Sequence, residues 1–279
     1  MTILSRSVLA GAALCAALSA AHAASATPAA SSPDSRAGAD ARQSDARLSE
    51  SRPVDARVTR VKLEGVVNLK LRQGPVAALV LSGDRRWVGQ TRTSQSGGTL
   101  TIESEFHGSF TTGANRNGPN VTAELTLPSL REVDSESLGW TEISGFSGDK
   151  LVLVQEGAGA IKVDASYRLV KATLGGLGSM QIDSGNGEGI ELDMQGAGLV
   201  KLLGRSKWIK ASMGGLGALD AQQCEADAVD LDLSGLGSAT ITARRDAKLS
   251  LSGLGSVTVY GKPASRNVSV EGLGKVSWK

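Results

Sequence analysis

A glycine tripeptide, Gly-(Leu/Ala)-Gly, recurs through the C-terminal half of the chain and constrains the fold more than any other feature. Its seven copies begin 19, 20, 19, 20, 18 and 19 residues apart, and a degenerate copy, Ser137-Leu138-Gly139, lies one period upstream. A fixed period of this length is typical of a chain that stacks one structural unit on the next. The turn glycines are Gly157 and Gly159, Gly176 and Gly178, Gly196 and Gly198, Gly215 and Gly217, Gly235 and Gly237, Gly253 and Gly255, and Gly272 and Gly274.

Apolar and polar residues alternate on both sides of each tripeptide. Ile161 and Val163 follow the first copy, Ala172 and Leu174 precede the second, and later repeats show the same pattern. Alternation with period two indicates β-strands that bury one face. Because one coil cannot bury enough apolar surface to offset its ordering entropy, the coils must stack. The sequence therefore predicts an all-β fold, a parallel β-helix (solenoid) with about 19 residues in each Gly-Leu-Gly coil.

One outward position indicates stacking in register. In successive repeats it is occupied by Lys171, Glu191, Lys210, Asp230 and Lys248, so the sign of the charge alternates. In a parallel stack these side chains are direct neighbours, and alternation avoids repulsion between like charges. The turn glycines then form columns at the bends, where the backbone needs a positive φ or a close approach between coils. Replacing these glycines is expected to destabilise the fold.

The N-terminal residues predict export. Residues 1–23 contain an apolar run of about eleven residues, followed by Ala21 and Ala23 at the positions that a signal peptidase recognises, which predicts a signal peptide cleaved after Ala23. A retained membrane anchor is the alternative, but the run is shorter than the roughly 20 residues that span a bilayer.

Three further segments follow the predicted signal peptide. Residues 24–55 are rich in Ala, Ser and Pro and predict a disordered leader. Residues 56–135 predict an N-terminal β segment, which forms either the first coils or a separate cap. Residues 136–279 contain the β-helix repeats.

Composition excludes several classes of function. The chain has 30 basic and 28 acidic residues, a net charge of +2, so no strong field favours nucleic acid or anionic lipid. After removal of a signal peptide Cys224 is the only cysteine, which excludes an intramolecular disulfide. We expect Cys224 to pack as a small side chain at a bend, and a reactive free thiol is the alternative.

Several motifs carry a family resemblance. They are the run Gly-Leu-Gly-Ser-Val-Thr-Val-Tyr-Gly-Lys-Pro from Gly253 to Pro263, its cousins upstream, and the Leu-Pro-Ser-Leu segment from Leu127 to Leu130. From about Val58 to the last repeat, the chain resembles the putative auto-transporter adhesin head, GIN-type domain family, a group of unknown function. The resemblance implies a right-handed β-helix in an exported or surface protein, and it implies no catalytic residues because the family has none assigned.

Residues suited to chemistry are few. The tripeptides are similar to calcium-binding glycine repeats, but Met180 and Leu219 stand where an oxygen ligand is needed, so neither a metal nor another cofactor is expected. Phe106, His107 and Phe110 form a candidate binding loop, for which a solvated hairpin tip is the alternative.

Paired carboxylates and tryptophans are the remaining candidates. Asp164 and Asp183 lie one period apart, as in polysaccharide-cleaving enzymes, but Leu203 interrupts their column. Tryptophans could stack on sugar rings, although packing is the expected role of most of them. They are Trp87, Trp140, Trp208 and Trp278.

Two functions from different classes remain. The expected one is a non-enzymatic binding or adhesion module, exported to the periplasm or the cell surface, whose partner is a protein or a glycan of the cell envelope. The alternative is a carbohydrate-active enzyme on the same scaffold, which requires carboxylates or basic residues that converge in one groove. The strand at Ser277-Trp278-Lys279 predicts either self-association through the C-terminal coil or an N-terminal cap over it.

Overall fold

The computed structural model describes residues 47–104 and 121–279, which form seventeen strands and one short helix. Within those residues no helix is long and apolar enough to cross a membrane. The strands are β1 (Arg47–Arg52), β2 (Arg60–Gly65), β3 (Val67–Gln73), β4 (Ala78–Asp84), β5 (Thr91–Ser96), β6 (Thr99–Ser104), β7 (Val121–Leu127), β8 (Glu132–Ser137), β9 (Trp140–Gln155), β10 (Ala160–Leu174), β11 (Ser179–Met194), β12 (Leu199–Gly215), β13 (Ala218–Gly235), β14 (Ser238–Gly253), β15 (Ser256–Tyr260), β16 (Ser265–Gly272) and β17 (Lys275–Trp278), and the helix is α1 (Arg85–Gln90).

The repeats form a solenoid in which each of the strands β9 to β14 pairs in parallel with the next. Inward residues stack in columns: Val163 lies beside Ile182, which lies beside Leu202, and none of the three is more than 2% exposed. Apolar burial along these columns stabilises the stack. The predicted all-β solenoid is confirmed, with about seven turns, and its right-handed sense stays a prediction.

Each long strand turns a corner near its middle. In β10 the pairing with β11 shifts between Asp164 and Leu169, and Ala165 and Tyr167 are buried inside that corner. The Tyr167 hydroxyl donates a hydrogen bond of 2.7 Å to the carbonyl of Leu130. A coil therefore consists of two straight stretches, joined on one side by this corner and on the other by the glycine turn.

The N-terminal β segment forms both coils and a closing layer. Strands β2 and β3 lie parallel to β8 and β9, and strands β6 and β7 continue the same stack beyond β2 and β3. Beyond them the pairing becomes antiparallel, with β5 on β6, β4 on β7 and β1 on β4. These antiparallel strands cover the solenoid at its N-terminal end.

The glycine turns lie directly on one another. The Leu236 N–H donates a hydrogen bond of 3.0 Å to the carbonyl of Gly215 in the preceding coil. A Cβ added at Gly235 would lie 2.4 Å from that same oxygen, and a Cβ added at Gly237 would lie 2.6 Å from the carbonyl oxygen of Gly217. In three of the seven copies the first glycine also has a positive φ. Close approach of the backbones is therefore the main reason for glycine at these positions.

The alternating charges are neighbours in the folded chain. Lys171 and Glu191 are paired residues of adjacent strands with 3.5 Å between their charged atoms, and Lys248 lies 3.1 Å from Asp230. These side chains are largely exposed, so each pair contributes at most about 1 kcal/mol. A slip of register by one residue would also expose the apolar columns, so burial sets the register and the charges agree with it.

Candidate binding surface

The outer edge of the glycine turns carries a row of apolar side chains that we call the apolar ridge. It consists of the middle residue of every tripeptide together with Leu138 of the degenerate copy, and its six leucines are 52 to 83% exposed. At about 4.8 Å per coil, the eight positions span about 34 Å. The members are Leu138, Ala158, Leu177, Ala197, Leu216, Leu236, Leu254 and Leu273.

The geometry of the turn is the reason for this exposure. The second glycine of the turn, the third residue of the tripeptide, faces the core: a Cβ added at Gly217 would lie 2.8 Å from Cε of Met194, an inward side chain of the preceding coil. The middle residue, Leu216, therefore faces solvent, and its backbone is fixed by a hydrogen bond of 3.3 Å to the carbonyl of Gly196. A single exposed leucine is ordinary, whereas an aligned row of them indicates a contact surface.

A shallow trough lies beside the ridge, between Trp140 and Leu199. These two residues belong to one outward column and are 38% and 48% exposed. The two positions between them are Ala160 and Ser179. Because small side chains separate two large ones, a hollow of about 590 Å³ opens here, which we call the Trp140 trough.

The two sides of the Trp140 trough differ in polarity. The apolar ridge borders one side, with Leu138 and Leu177 in the lining. Glu142, Lys162, Gln181 and Lys201 border the other side, and Lys162 lies 3.8 Å from the carboxylate of Glu142. An apolar side facing a polar and charged side suits a partner that presents both apolar groups and hydrogen-bonding groups.

The candidate sites from the sequence fall in different places. Phe106, His107 and Phe110 lie outside the described residues. Asp164 and Asp183 are neighbours in adjacent coils, as expected. However, Asp183 accepts a hydrogen bond of 3.1 Å from the N–H two residues later and so belongs to a turn. In the described ranges, no three His, Cys, Asp or Glu side chains are grouped so that they could hold a metal ion.

Two groups with strongly raised pKa values, Cys224 and Tyr167, lie inside the solenoid. Burial raises the pKa of Cys224 to about 12, and the carboxylate of Asp183 adds to that shift. Burial also raises the pKa of Tyr167 to about 12 and raises the pKa of Asp134. Cys224 is fully buried at a corner, beside Gly204 of the preceding coil. A thiol held neutral in this way is a poor nucleophile, so its packing explains its presence.

Two of the four tryptophans differ from the expected packing role. Trp87 and Trp278 pack against the core. Trp140 and Trp208 are 38% and 37% exposed on outward columns. Their positions in the alternating pattern already assign both side chains to the solvent side, and this is the signal by which the sequence could have identified them.

These strands and glycine columns define a β-solenoid protein. The family described as "Putative auto-transporter adhesin, head GIN domain" matches residues 57–263, and the chain belongs to that family. The resemblance seen in the sequence is thereby confirmed. No curated protein matches the chain.

Solved structures share the fold. A putative adhesin from Parabacteroides merdae is 16% identical with a TM-score of 0.72, over 84% of this chain and 96% of the other. A putative lipid binding protein from Parabacteroides distasonis is 16% identical with a TM-score of 0.73, over 84% and 96%. A putative adhesin from Bacteroides fragilis is 19% identical with a TM-score of 0.61, over 84% and 97%. At these identities the similarity establishes the common fold.

Proposed function

We propose that this protein is exported to the cell envelope and acts there as a non-enzymatic binding or adhesion module, with the apolar ridge as its contact surface. The observation that carries the proposal is the ridge itself, six exposed leucines aligned along one edge of the solenoid. Aligned apolar side chains of this extent mark interaction sites on folded proteins. Membership of a family of adhesin heads supports the same role.

The partner in this proposal is a protein or a glycan of the envelope. The apolar ridge supplies contact area, and the adjoining Trp140 trough supplies polar groups that select the orientation of the partner. The predicted signal peptide, residues 1–23, supports placement in the periplasm or at the cell surface. The enzyme alternative needs several converging titratable groups, and Asp164 and Asp183 supply only a pair, one of them engaged in a turn.

Replacing Leu216, Leu236 and Leu254 together with serine is expected to weaken binding to envelope material by at least about tenfold, because the centre of an apolar contact surface carries most of the affinity. Each of these side chains is at least 58% exposed, so the free energy of unfolding should change by no more than about 0.5 kcal/mol per site. Binding is measured by biolayer interferometry on immobilised envelope fragments, with protease-treated and periodate-treated fragments to separate protein from glycan partners.

The matched control replaces the same three leucines with methionine, which keeps the ridge apolar and should bind within about threefold of the unmodified protein. Thermal unfolding of all three proteins tests that the fold is intact. If the serine variant binds as the unmodified protein does, the ridge is not the contact surface.

Self-association through the C-terminal coil belongs to the same proposal. Val268 and Val270 of β16 are 40% and 43% exposed, whereas their neighbours Leu249 and Leu251 in β14 are 1% exposed. A second copy would cover these apolar positions, so we expect dimers at high concentration that Val268→Asp abolishes. Sedimentation velocity at several concentrations measures this, with Ser269→Asp on the same strand as the control. A monomer at every concentration would contradict the expectation.

A further inference from the structure

A second trough lies on another column of the solenoid, around Trp208. Trp208 is paired in register with Gly189 of the preceding coil and Ala228 of the following coil. A Cβ added at Gly189 would overlap the six-membered ring of the indole, so the ring lies over Gly189. On its other side the small side chain of Ala228 leaves a hollow of about 410 Å³ that continues past Asp246 to Ser265. We call this hollow the Trp208 trough.

The polar lining of the Trp208 trough is formally neutral. Two ammonium groups, Lys210 and Lys248, face two carboxylates, Asp230 and Asp246. Lys248 and Asp230 form an ion pair at 3.1 Å. Within the described parts of the chain, neither Lys210 nor Asp246 forms an ion pair or hydrogen bond through its side chain. A charged donor and a charged acceptor are therefore available to a ligand.

This combination fits a sugar chain better than other ligands. A pyranose ring presents C–H groups on its faces and hydroxyl groups at its edges, so it can stack on an exposed indole while its hydroxyl groups bind a neighbouring carboxylate and ammonium. From Trp208 to Ser265 the column advances by three coils, about 14 Å, which is the length of a short oligosaccharide. The trough is shallow and open, so the ends of a longer glycan can extend beyond it.

Other classes of ligand fit less well. Equal numbers of acids and bases give no preference for an anionic ligand such as nucleic acid. Beside Trp208 a peptide cannot add as a strand, because β12 and β13 are already paired along both edges. At the far end of the trough, the edge of β16 is the one assigned above to self-association. An acyl chain would lie against the charged side of the trough, which would cost desolvation of those groups.

We propose that the Trp208 trough binds a segment of a neutral glycan, with the indole of Trp208 as the stacking surface and Asp246 and Lys210 as hydrogen-bonding partners. The inference rests on the proposed binding function, for which it names a ligand class. It concerns a surface other than the apolar ridge, so an experiment can contradict the glycan site and leave the proposed role of the ridge intact, or the reverse.

The test uses a panel of soluble trisaccharides: cellotriose, maltotriose, mannotriose, chitotriose and, as the acidic member, trigalacturonic acid. Binding to the whole chain is measured by saturation-transfer NMR and isothermal titration calorimetry. At least one neutral trisaccharide is expected to bind, and more tightly than the acidic one. Trp208→Ala should weaken that binding at least about tenfold, and Trp208→Phe, which keeps an aromatic face, should retain much of it.

Asp164→Ala provides the control, because Asp164 is an exposed carboxylate of β10 that does not line the Trp208 trough. This variant should leave trisaccharide binding unchanged. Since removal of the indole also uncovers Gly189, Asp246→Ala serves as a second variant that does not touch this packing, and it should weaken binding at least about threefold.

Two results would overturn the inference: no neutral trisaccharide bound at about 10 mM, or equal binding by the unmodified protein and both Trp208→Ala and Asp246→Ala. If the trisaccharides fail while the ridge serine variant still loses binding to envelope fragments, the glycan site is wrong and the proposed function stands. If the ridge variant keeps full binding while Trp208→Ala loses its trisaccharide, the glycan site stands and the ridge is not the contact surface.

Discussion

Gly176→Ala is expected to destabilise the solenoid by at least about 3 kcal/mol or to prevent folding, whereas Gly175→Ala, one residue earlier, should change the free energy of unfolding by less than about 1 kcal/mol. A Cβ at position 176 would overlap the carbonyl oxygen of Gly157 and would lie 2.6 Å from that of Glu156. A Cβ at position 175 would meet its nearest atoms at 3.9 Å, an ordinary contact. Neither glycine has a positive φ, so the two variants differ in steric space alone.

The cost at Gly176 has two parts. The added methyl group forces two coils apart, because the two carbonyl oxygens that it meets belong to the backbone and cannot rotate away. The carbonyl of Gly176 also accepts the Ala197 N–H at 3.2 Å, so displacement of the turn disturbs the next layer as well. Because each coil is stabilised mainly by its neighbours, a fault in one layer weakens the stack on both sides.

Urea unfolding of the two variants, followed by circular dichroism, measures this difference directly. The comparison of adjacent residues controls for helix or strand propensity and for the entropy of the unfolded chain, which the two substitutions change alike. Equal stability of Gly175→Ala and Gly176→Ala would show that the columns of glycine do not arise from close approach between coils.

The sequence predicted the solenoid because its repeats encode the same constraint many times. The spacing of the tripeptides gave the coil length, and alternation of apolar residues gave the inward columns, for example Val163, Ile182 and Leu202. Each of these signals is local in sequence and depends only on the period. A residue that departs from the pattern in one repeat therefore does not change the predicted fold.

The N-terminal segment was harder to predict because its strands do not stack in chain order. Strands β6 and β7 lie outside β2 and β3, and antiparallel strands cover them. No repeat marks this order. Gln155 lies between Ser135 and Leu174 on an inward column and is fully buried, with neither side-chain amide atom hydrogen-bonded. A polar residue in an alternating run does not reveal such burial.

The candidate site was hidden for a different reason. Trp208 and Gly189 lie one coil apart, and their contact exists only because the register pairs them. The pattern assigned Trp208 to the solvent side, but it did not show that glycine on one side and Ala228 on the other would leave the indole beside an open trough. Such a site exists only where small residues in the preceding and following coils lie beside a large side chain.

Alkaline pH is expected to destabilise the protein from about pH 9 upward through two buried groups. Cys224 and Tyr167 have pKa values raised by burial to about 12, whereas in the unfolded chain they ionise near 9 and 10. Between those values the unfolded state releases protons that the native state keeps. The stability these groups provide is therefore fully present below the unfolded pKa and is lost as the pH rises toward 12.

The slope of the free energy of unfolding against pH identifies the contribution of each group. One buried acid lowers the free energy of unfolding by about 1.4 kcal/mol per pH unit in its window, so Cys224 alone accounts for about 2.5 kcal/mol between pH 9 and pH 11. Tyr167 adds to the slope only above about pH 10. Lys62, whose pKa is raised by Glu64 and Glu136, acts in the same direction only above its ordinary pKa of 10.5. The interval from pH 9 to pH 10 therefore reports mainly on the cysteine.

Urea unfolding at pH 8, 9, 10 and 11 tests the assignment in a chain that carries Cys15→Ser, so that Cys224 is its only thiol. Cys224→Ala should flatten the fall in the free energy of unfolding between pH 9 and pH 10. Tyr167→Phe should leave that interval unchanged and should flatten the fall between pH 10 and pH 11. Comparing slopes cancels the constant cost of each substitution, such as the lost hydrogen bond from Tyr167 to Leu130. A slope that persists in Cys224→Ala would mean that the thiol titrates alike in the native and the unfolded state. Rapid reaction with a thiol reagent at pH 8 would likewise contradict the assignment, because a buried neutral thiol reacts only on unfolding.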